Sequence, residues 1–392
     1  SGQSLSLGTG VTAVTLLGEV TITMTDSTIS SFDQGAIYAL SEEGYVMFEM
    51  SDSEISWINN YDYDGAVNLL ANYGAVDVLV QNNYFYQVYD MVFNIGSYME
   101  EPDDVFVDIL DNEFVKCFMV AYVQTWVNID ESMENTSEML IHASFNSNTL
   151  LDSGAVYFDT SINLFDEGGL DVTIEEEYMN NMFETVLFIG DLPLLEWSYW
   201  EASMFRSETS YYNYDSVFED SLTKDVTVTG NEFNELPGLP FWDDGGIWFY
   251  YPNAFEVSTS IWFSGEQLTA DISTTIMDNS VVIEESSSSG ALVNVASYLN
   301  TYEGDVGISE TVMVSNNTLV DEQMNSFGVT IDSEVYFGLN YMATKGSSIE
   351  GVYVVEDNYL EGMIFGARII LWRDVENVAG DVADAVCRKL QE

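Results

Sequence analysis

Apolar and polar residues alternate along most of this chain, and the alternation stops at similar places. Runs such as "VLVQNNYF" from Val78, "VDILDNEF" from Val107, "VTVTGNEF" from Val226 and "VMVSNNTL" from Val312 each end in asparagine, one spacer and a large apolar residue. Ten segments align when Ser27, Ser53, Asn83, Asn112, Asn148, Glu177, Asn231, Asn279, Asn317 and Asn358 are set at a common position. Five residues earlier stand Phe48, Val78, Val107, Val226 and Val312; three earlier stand Met50, Val80, Ile109, Val228 and Val314; two later stand Ile55, Phe85, Phe114, Phe233 and Leu319. In the sixth segment the columns read Val172, Ile174 and Met179, and across all segments only Thr274 is polar. A spacing of two is the period of a strand with one buried face. Recurrence of a one-faced strand predicts a solenoid, in which each unit completes its core against its neighbours.

A second strand follows most of these centres, opened by small residues: "GAIYAL" at Gly35, "GAVNLL" at Gly65, "GAVYF" at Gly154, "GALVNV" at Gly290. Each coil therefore carries at least two strands. The longest gap between centres holds "LPLLEWSYWEASMF", either an extra coil or a large loop. Asparagine tolerates the left-handed or bridge backbone of a sharp corner, and its amide both donates and accepts. Stacked at the strand spacing of about 4.8 Å, Asn83, Asn112, Asn148, Asn231, Asn279, Asn317 and Asn358 form a structural ladder, and about ten coils make a rod about 48 Å long.

The predicted fold is all-β, a right-handed parallel β-helix of about ten or more coils over residues 1–373. Residues 374–392 are expected to form a short C-terminal capping or docking helix, because Val378, Val382, Val386 and Leu390 make one apolar stripe and Arg388 and Lys389 suit a helix end. The repeat resembles the pectin-lyase-like parallel β-helix superfamily, and its "GAI/GAV" strand starts with Asn-x-apolar corners resemble polymorphic outer-membrane adhesin passengers. That resemblance implies a fold rather than an activity. The barrel anchor of such adhesins has no counterpart in this sequence.

Charge changes the picture most. The 392 residues hold 66 acidic and 8 basic side chains, a formal net charge of −58, with 14% aromatic residues. Such a surface repels nucleic acid and anionic polymers and attracts cations, while the aromatic content and apolar patterning argue for a folded chain. No apolar run reaches transmembrane length, and "SGQSLSLGTG" lacks the regions of a signal peptide, so Ser1 reads as the start of a processed chain and no membrane insertion is expected. Cys117 and Cys387 allow one bridge or two thiols. Sequons at Asn135 and Asn316 permit glycosylation.

Candidate chemistry is sparse. Enzymes of the resembled superfamily imply calcium-binding carboxylates with a basic residue, or grouped aspartates. Here the basic residues are scattered, and the adjacent pairs Asp103–Asp104 and Asp243–Asp244 are what an acidic chain produces by chance. His142, the single histidine, stands at a strand position and reads as an ordinary strand residue, with no zinc-ligand spacing. The position before each centre is acidic at Asp26, Asp52, Asp111, Glu176, Asp278 and Asp357, a column able to take up calcium weakly and collectively. Solvated turn residues explain the same column. The aromatic cluster Phe241, Trp242, Trp248, Phe249, Tyr250 and Tyr251 exceeds what one coil buries and suggests a contact surface.

Taken together these features lead to a non-catalytic extracellular structural protein that self-associates head-to-tail or laterally, screened or bridged by divalent cations and holding no tightly bound cofactor. A carbohydrate-active β-helix enzyme and a glycan-binding adhesin are the alternatives.

Overall fold

A computed structural model describes residues 10–32, 35–58, 65–88, 91–117, 119–129, 137–165, 169–184, 204–214, 219–234, 239–243, 246–250, 253–283, 291–321, 327–337 and 348–375. They form a parallel β-helix. Each coil has three strands rather than two, and every strand pairs in parallel with its counterparts in the adjacent coils. In the second coil these are Ile37–Ser41, Val46–Ser51 and Glu54–Ile58, which open the pattern for the first, second and third sheets. The third sheet contains ten strands, one per complete coil. In two coils the first and second strands run together, as Phe255–Met277 and Ala291–Ser315, with a register irregularity at Ser264.

The long gap does not hide an extra coil. Val156–Leu164 pairs directly with Phe205–Asn213, so no further coil lies between the one that ends at Met182–Glu184 and the one that Phe205–Asn213 opens. An insertion carries an antiparallel hairpin, Leu239–Asp243 with Gly246–Tyr250, in which Phe241 stands opposite Trp248. The aromatic excess of this segment therefore belongs to a hairpin off the coil. The expected capping helix at 374–392 lies outside the described residues beyond Val375, as does Cys387.

Alternation places one residue in two inside the coil, and the interior is a continuous apolar column. Phe85 stacks on Phe114 at 4.9 Å, and Phe183 on Phe233 at 4.2 Å. Burying such a side chain contributes about 1.5–3 kcal/mol. One interior column of the first sheet is instead hydroxylic: Ser97, Thr125, Thr160, Thr209, Thr259, Ser297 and Ser333 follow one another in register, all buried.

Between the second and third sheets the corner is closed by the asparagine ladder. The backbone N–H of Asn83 donates to Oδ1 of Asn112 at 2.9 Å, and the same bond recurs from Asn112 to Asn148, from Asn231 to Asn279 and from Asn317 to Asn358. Each Nδ2 reaches back to a carbonyl of the preceding coil, as Asn112 does to Val80 at 3.0 Å and Asn317 to Ile276 at 2.9 Å. The amide also donates forward, Asn279 Nδ2 to Asn317 Oδ1 at 2.9 Å. The ladder gives each rung's backbone N–H an acceptor in the next coil and adds a second bond to a carbonyl of the preceding one.

Two sequence expectations are corrected here. The sixth rung is Asn181, not Glu177: the N–H of Asn148 donates to Asn181 Oδ1 at 2.9 Å, and that of Asn181 to Asn231 Oδ1 at 3.0 Å. The left-handed residue of the corner is not the asparagine but the one before it. Asp26, Asp52, Asn82, Asp111, Ser147, Asn180, Asp278, Asn316 and Asp357 all have φ between 49° and 59°, and Gly230 has 68°. These are the short polar types, and glycine, that accept this backbone most readily. A second left-handed corner follows four residues after the rung, at Ser31, Trp57, Gln87, Lys116, Asp152 and Gly362.

Neighbouring asparagines should therefore respond differently to mutation. Asn317→Ala strands the Asn279 N–H and removes the second bond to the Ile276 carbonyl, and should cost about 1–3 kcal/mol in urea unfolding. Asn316→Gly should change stability by less than about 0.5 kcal/mol, whereas Asn316→Val, forced to a positive φ, should lose about 1–2 kcal/mol.

Candidate functional site

The outward face of the first sheet carries the most differentiated chemistry. Strand register sets Asn72, Tyr98 and Trp126 in one outward column over three consecutive coils. At the end of these strands lies a shallow, open groove of about 370 Å³, lined by Glu42, Asn72, Tyr73, Tyr98, Glu100 and Trp126 among others. Beside it runs a hydrogen-bonded network. The Tyr98 hydroxyl donates to Gln124 Oε1 at 2.9 Å, and the Tyr122 hydroxyl to Asp159 Oδ2 at 3.3 Å. Burial holds the Asp159 carboxyl above the usual range, against the opposing bonds from Tyr122 and Gln124. Asp159 is in register with Glu208 of the next coil, which Arg206 Nη2 contacts at 2.5 Å.

Further along, Phe165, Tyr214, Tyr212, Trp262 and Tyr302 form an unbroken series of ring contacts at 5.5 to 6.4 Å. Cross-coil aromatic contacts of this kind stabilise a sheet. Trp126, Trp262 and Tyr302 are nevertheless 45%, 37% and 49% exposed, so they also offer surface to a partner.

The acidic column expected to collect calcium divides. Asp26, Asp52, Asp111, Asp278 and Asp357 lie exposed on the left-handed edge, with Asn82, Ser147, Asn180, Gly230 and Asn316 completing it. Their backbone conformation accounts for their residue types. Among the described residues no three His, Cys, Asp or Glu side chains converge as a metal centre requires.

Glu176 does not belong to that edge. It occupies the inward column, in register with Ala143 and Val226, and is 2% exposed. Burial raises its carboxyl above the ordinary range while Lys224, two residues before Val226, pulls it back. Lys224 is wholly buried, and its ammonium donates to the Ser258 carbonyl at 2.9 Å and the Thr259 hydroxyl at 3.2 Å. Burial pushes it down to about 8, opposed by Glu176 and Glu208. In the same inward register Glu310 accepts from Ser333 at 2.6 Å and from Tyr353. The hydroxyl column thus meets the few charged groups inside the rod.

The other candidates fall into structural roles. Asp104 Oδ1 accepts the Leu140 N–H at 2.8 Å, while Asp103 accepts from Tyr45, so these neighbours serve separate loops. Asp243 lies in the hairpin, opposite Gly246, and Asp244 is outside the described residues. His142 stands on the outward face of the second sheet, 3.4 Å from both Asp108 and Glu175, and the Asp108 bond leads in raising its ordinary value. Ser144 donates to Asp108 as well, so the histidine, the serine and two carboxylates share one outward cluster. Cys117 is a buried free thiol that burial pushes up to about 12. Asn316 is exposed, as a glycosylated asparagine must be, and Asn135 is outside the described residues.

Comparison with protein-family models, characterised proteins and solved structures finds no match for this chain. The groove and the Asp159 network escaped sequence reasoning because their members, such as Tyr73, Tyr98 and Trp126, are brought together only by coil register.

The buried lysine gives a pH signature. Between pH about 8 and 10.5 the unfolded chain holds a Lys224 proton that the native state has released, so this residue's contribution to stability rises with pH across that window. The unfolding free energy of the wild type minus that of Lys224→Met should therefore increase from pH 8 to 10.5 and be flat just below it, measured by urea titration at fixed ionic strength.

Proposed function

We propose that this chain is a non-catalytic structural rod of a cell surface or extracellular matrix, belonging with the pectin-lyase-like and adhesin-passenger β-helices in fold. The observation that carries the reading is the ladder, which runs from Asn83 to Asn358 and couples each coil to the next through one repeated set of bonds. A uniform one-dimensional stack suits a load-bearing or spacing element. The net charge of −58 opposes close approach of copies unless cations screen it. Exposed aspartates on the left-handed edge, Asp26, Asp52, Asp111, Asp278 and Asp357, support uptake of calcium as a diffuse counter-ion that links neighbouring rods.

Electron micrographs and sedimentation at rising calcium and sodium chloride test this. Head-to-tail filaments or lateral arrays are expected once charge is screened, with a melting temperature that climbs with salt. Monomers under dilute, calcium-free and calcium-containing conditions alike would sink the proposal.

A second reading rests on Asp159 and Glu208, carboxylates in consecutive coils, one held above its usual range and flanked by aromatic residues. This reading requires release of reducing ends from a neutral glycan, abolished by Asp159→Asn.

A further inference from the structure

The groove at the end of the first-sheet strands is built from four consecutive coils. Glu42 comes from one, Asn72 and Tyr73 from the next, Tyr98 and Glu100 from the third, and Trp126 from the fourth. The coils are brought close by glycine: a Cβ on Gly74 would lie 2.1 Å from the Gly44 carbonyl oxygen, so Gly74 has no room for a side chain. Tyr73, beside it, holds a left-handed φ of 57°, which a bulky residue seldom adopts, and is 57% exposed. Local packing gives no reason to place a large aromatic there.

Several of these groups are fixed before any ligand arrives. Asn72 Nδ2 donates to Glu42 Oε2 at 3.0 Å, and Gln124 holds the Tyr98 hydroxyl. The Tyr98 and Trp126 rings are 6.2 Å apart and inclined at 46°, two walls rather than a flat stack. Among the described residues no cationic side chain lines the groove, so neither Glu42 nor Glu100 meets a counter-charge there.

Three aromatic rings and two carboxylates in one groove present negative ring faces together with full negative charges. We propose that this groove binds an organic ammonium cation, seated against Tyr73, Tyr98 and Trp126 with Glu42 and Glu100 as counter-charges. A hard divalent ion prefers six or more oxygen ligands and gains little from rings. A neutral sugar would leave the carboxylates without a counter-charge, and an anion would meet the field of a chain with net charge −58. The ammonium is carried by a free polyamine or quaternary amine, or by a lysine side chain of a basic peptide. The chemistry recognised is the same.

Calorimetric titration of the whole chain with tetramethylammonium chloride, at ionic strength held constant with sodium chloride, tests the site. Saturable one-to-one binding is expected. It should weaken about tenfold in Trp126→Ala and in Glu42→Gln/Glu100→Gln, and the uncharged isostere 2,2-dimethylpropanol should bind at least about tenfold more weakly. Trp126 packs on Tyr98 and Glu42 accepts from Asn72, so the melting temperature of each variant is measured alongside, and weakened binding by a variant that still unfolds cooperatively separates loss of binding from loss of fold. Parallel titrations with spermidine and with a trimethyl-lysine peptide then show by their relative affinity which source the groove prefers. Equal binding of the isostere, full binding by Trp126→Ala, heat that never saturates, or binding of a neutral oligosaccharide in place of the ammonium would each overturn the proposal.

Discussion

A chain that coils must turn three times per circuit, and at each turn backbone groups leave the strand ladders while remaining buried. The asparagine amide answers this at one corner. Its Oδ1 takes up an N–H from the coil before, and its Nδ2 returns a hydrogen bond to a carbonyl of that coil, so Asn112 alone engages both Asn83 and Val80. An unsatisfied buried donor or acceptor costs about 1–3 kcal/mol, so a coil without its rung would carry a penalty comparable to the gain from burying one of its large side chains. The left-handed residue before each rung exists to deliver the amide to this place. Strand pairing, the phenylalanine stacks and the insertions all presuppose that corner.

The interior is not uniformly apolar. Hydroxyls run up one side of the first sheet, and two of the buried charges face them: Lys224 meets Thr259, and Glu310 meets Ser333. Side chains of serine and threonine are small enough to stack at the strand spacing and still offer partners to a buried ion. Glu176 and Lys224 attract each other across adjacent coils, which lessens the desolvation cost of each without abolishing it. Replacement of such a pair by apolar residues of similar volume is often neutral or stabilising, so the pair by itself does not account for the stability of these coils.

Most of the fold could be read from the sequence because inward columns and corner asparagines obey fixed offsets. Val78, Val80, Asn83 and Phe85 repeat as Val107, Ile109, Asn112 and Phe114, and the structure stacks them in that register. The reading slipped at one coil for a physical reason. Leu170–Met179 is a long strand, and a shift of four residues keeps the same face inward, so Val172 and Ile174 imitate the columns that belong to Glu176 and Tyr178. A carboxylate in a buried position made the true register look wrong. In several coils the third strand was too short to register as alternation, since Glu113–Val115 and Thr149–Leu151 have three residues each. The groove left no trace at all, because proximity across coils depends on insertion lengths that no local pattern encodes.

The first two rungs are serines, and this gives the rod a direction. Ser53 Oγ accepts the Ser27 N–H at 3.0 Å as an asparagine would, but its single proton goes to Ser51 in its own strand at 2.8 Å. Ser27 likewise bonds Thr25. The Ser53 hydroxyl returns no bond to the preceding coil, so at this corner the first two described coils are held by half a rung where later ones have a whole one. In a stack whose units touch only their neighbours, such a difference concentrates local opening at that junction. The Ser27 and Ser53 coils are then expected to part before any two coils that asparagine joins.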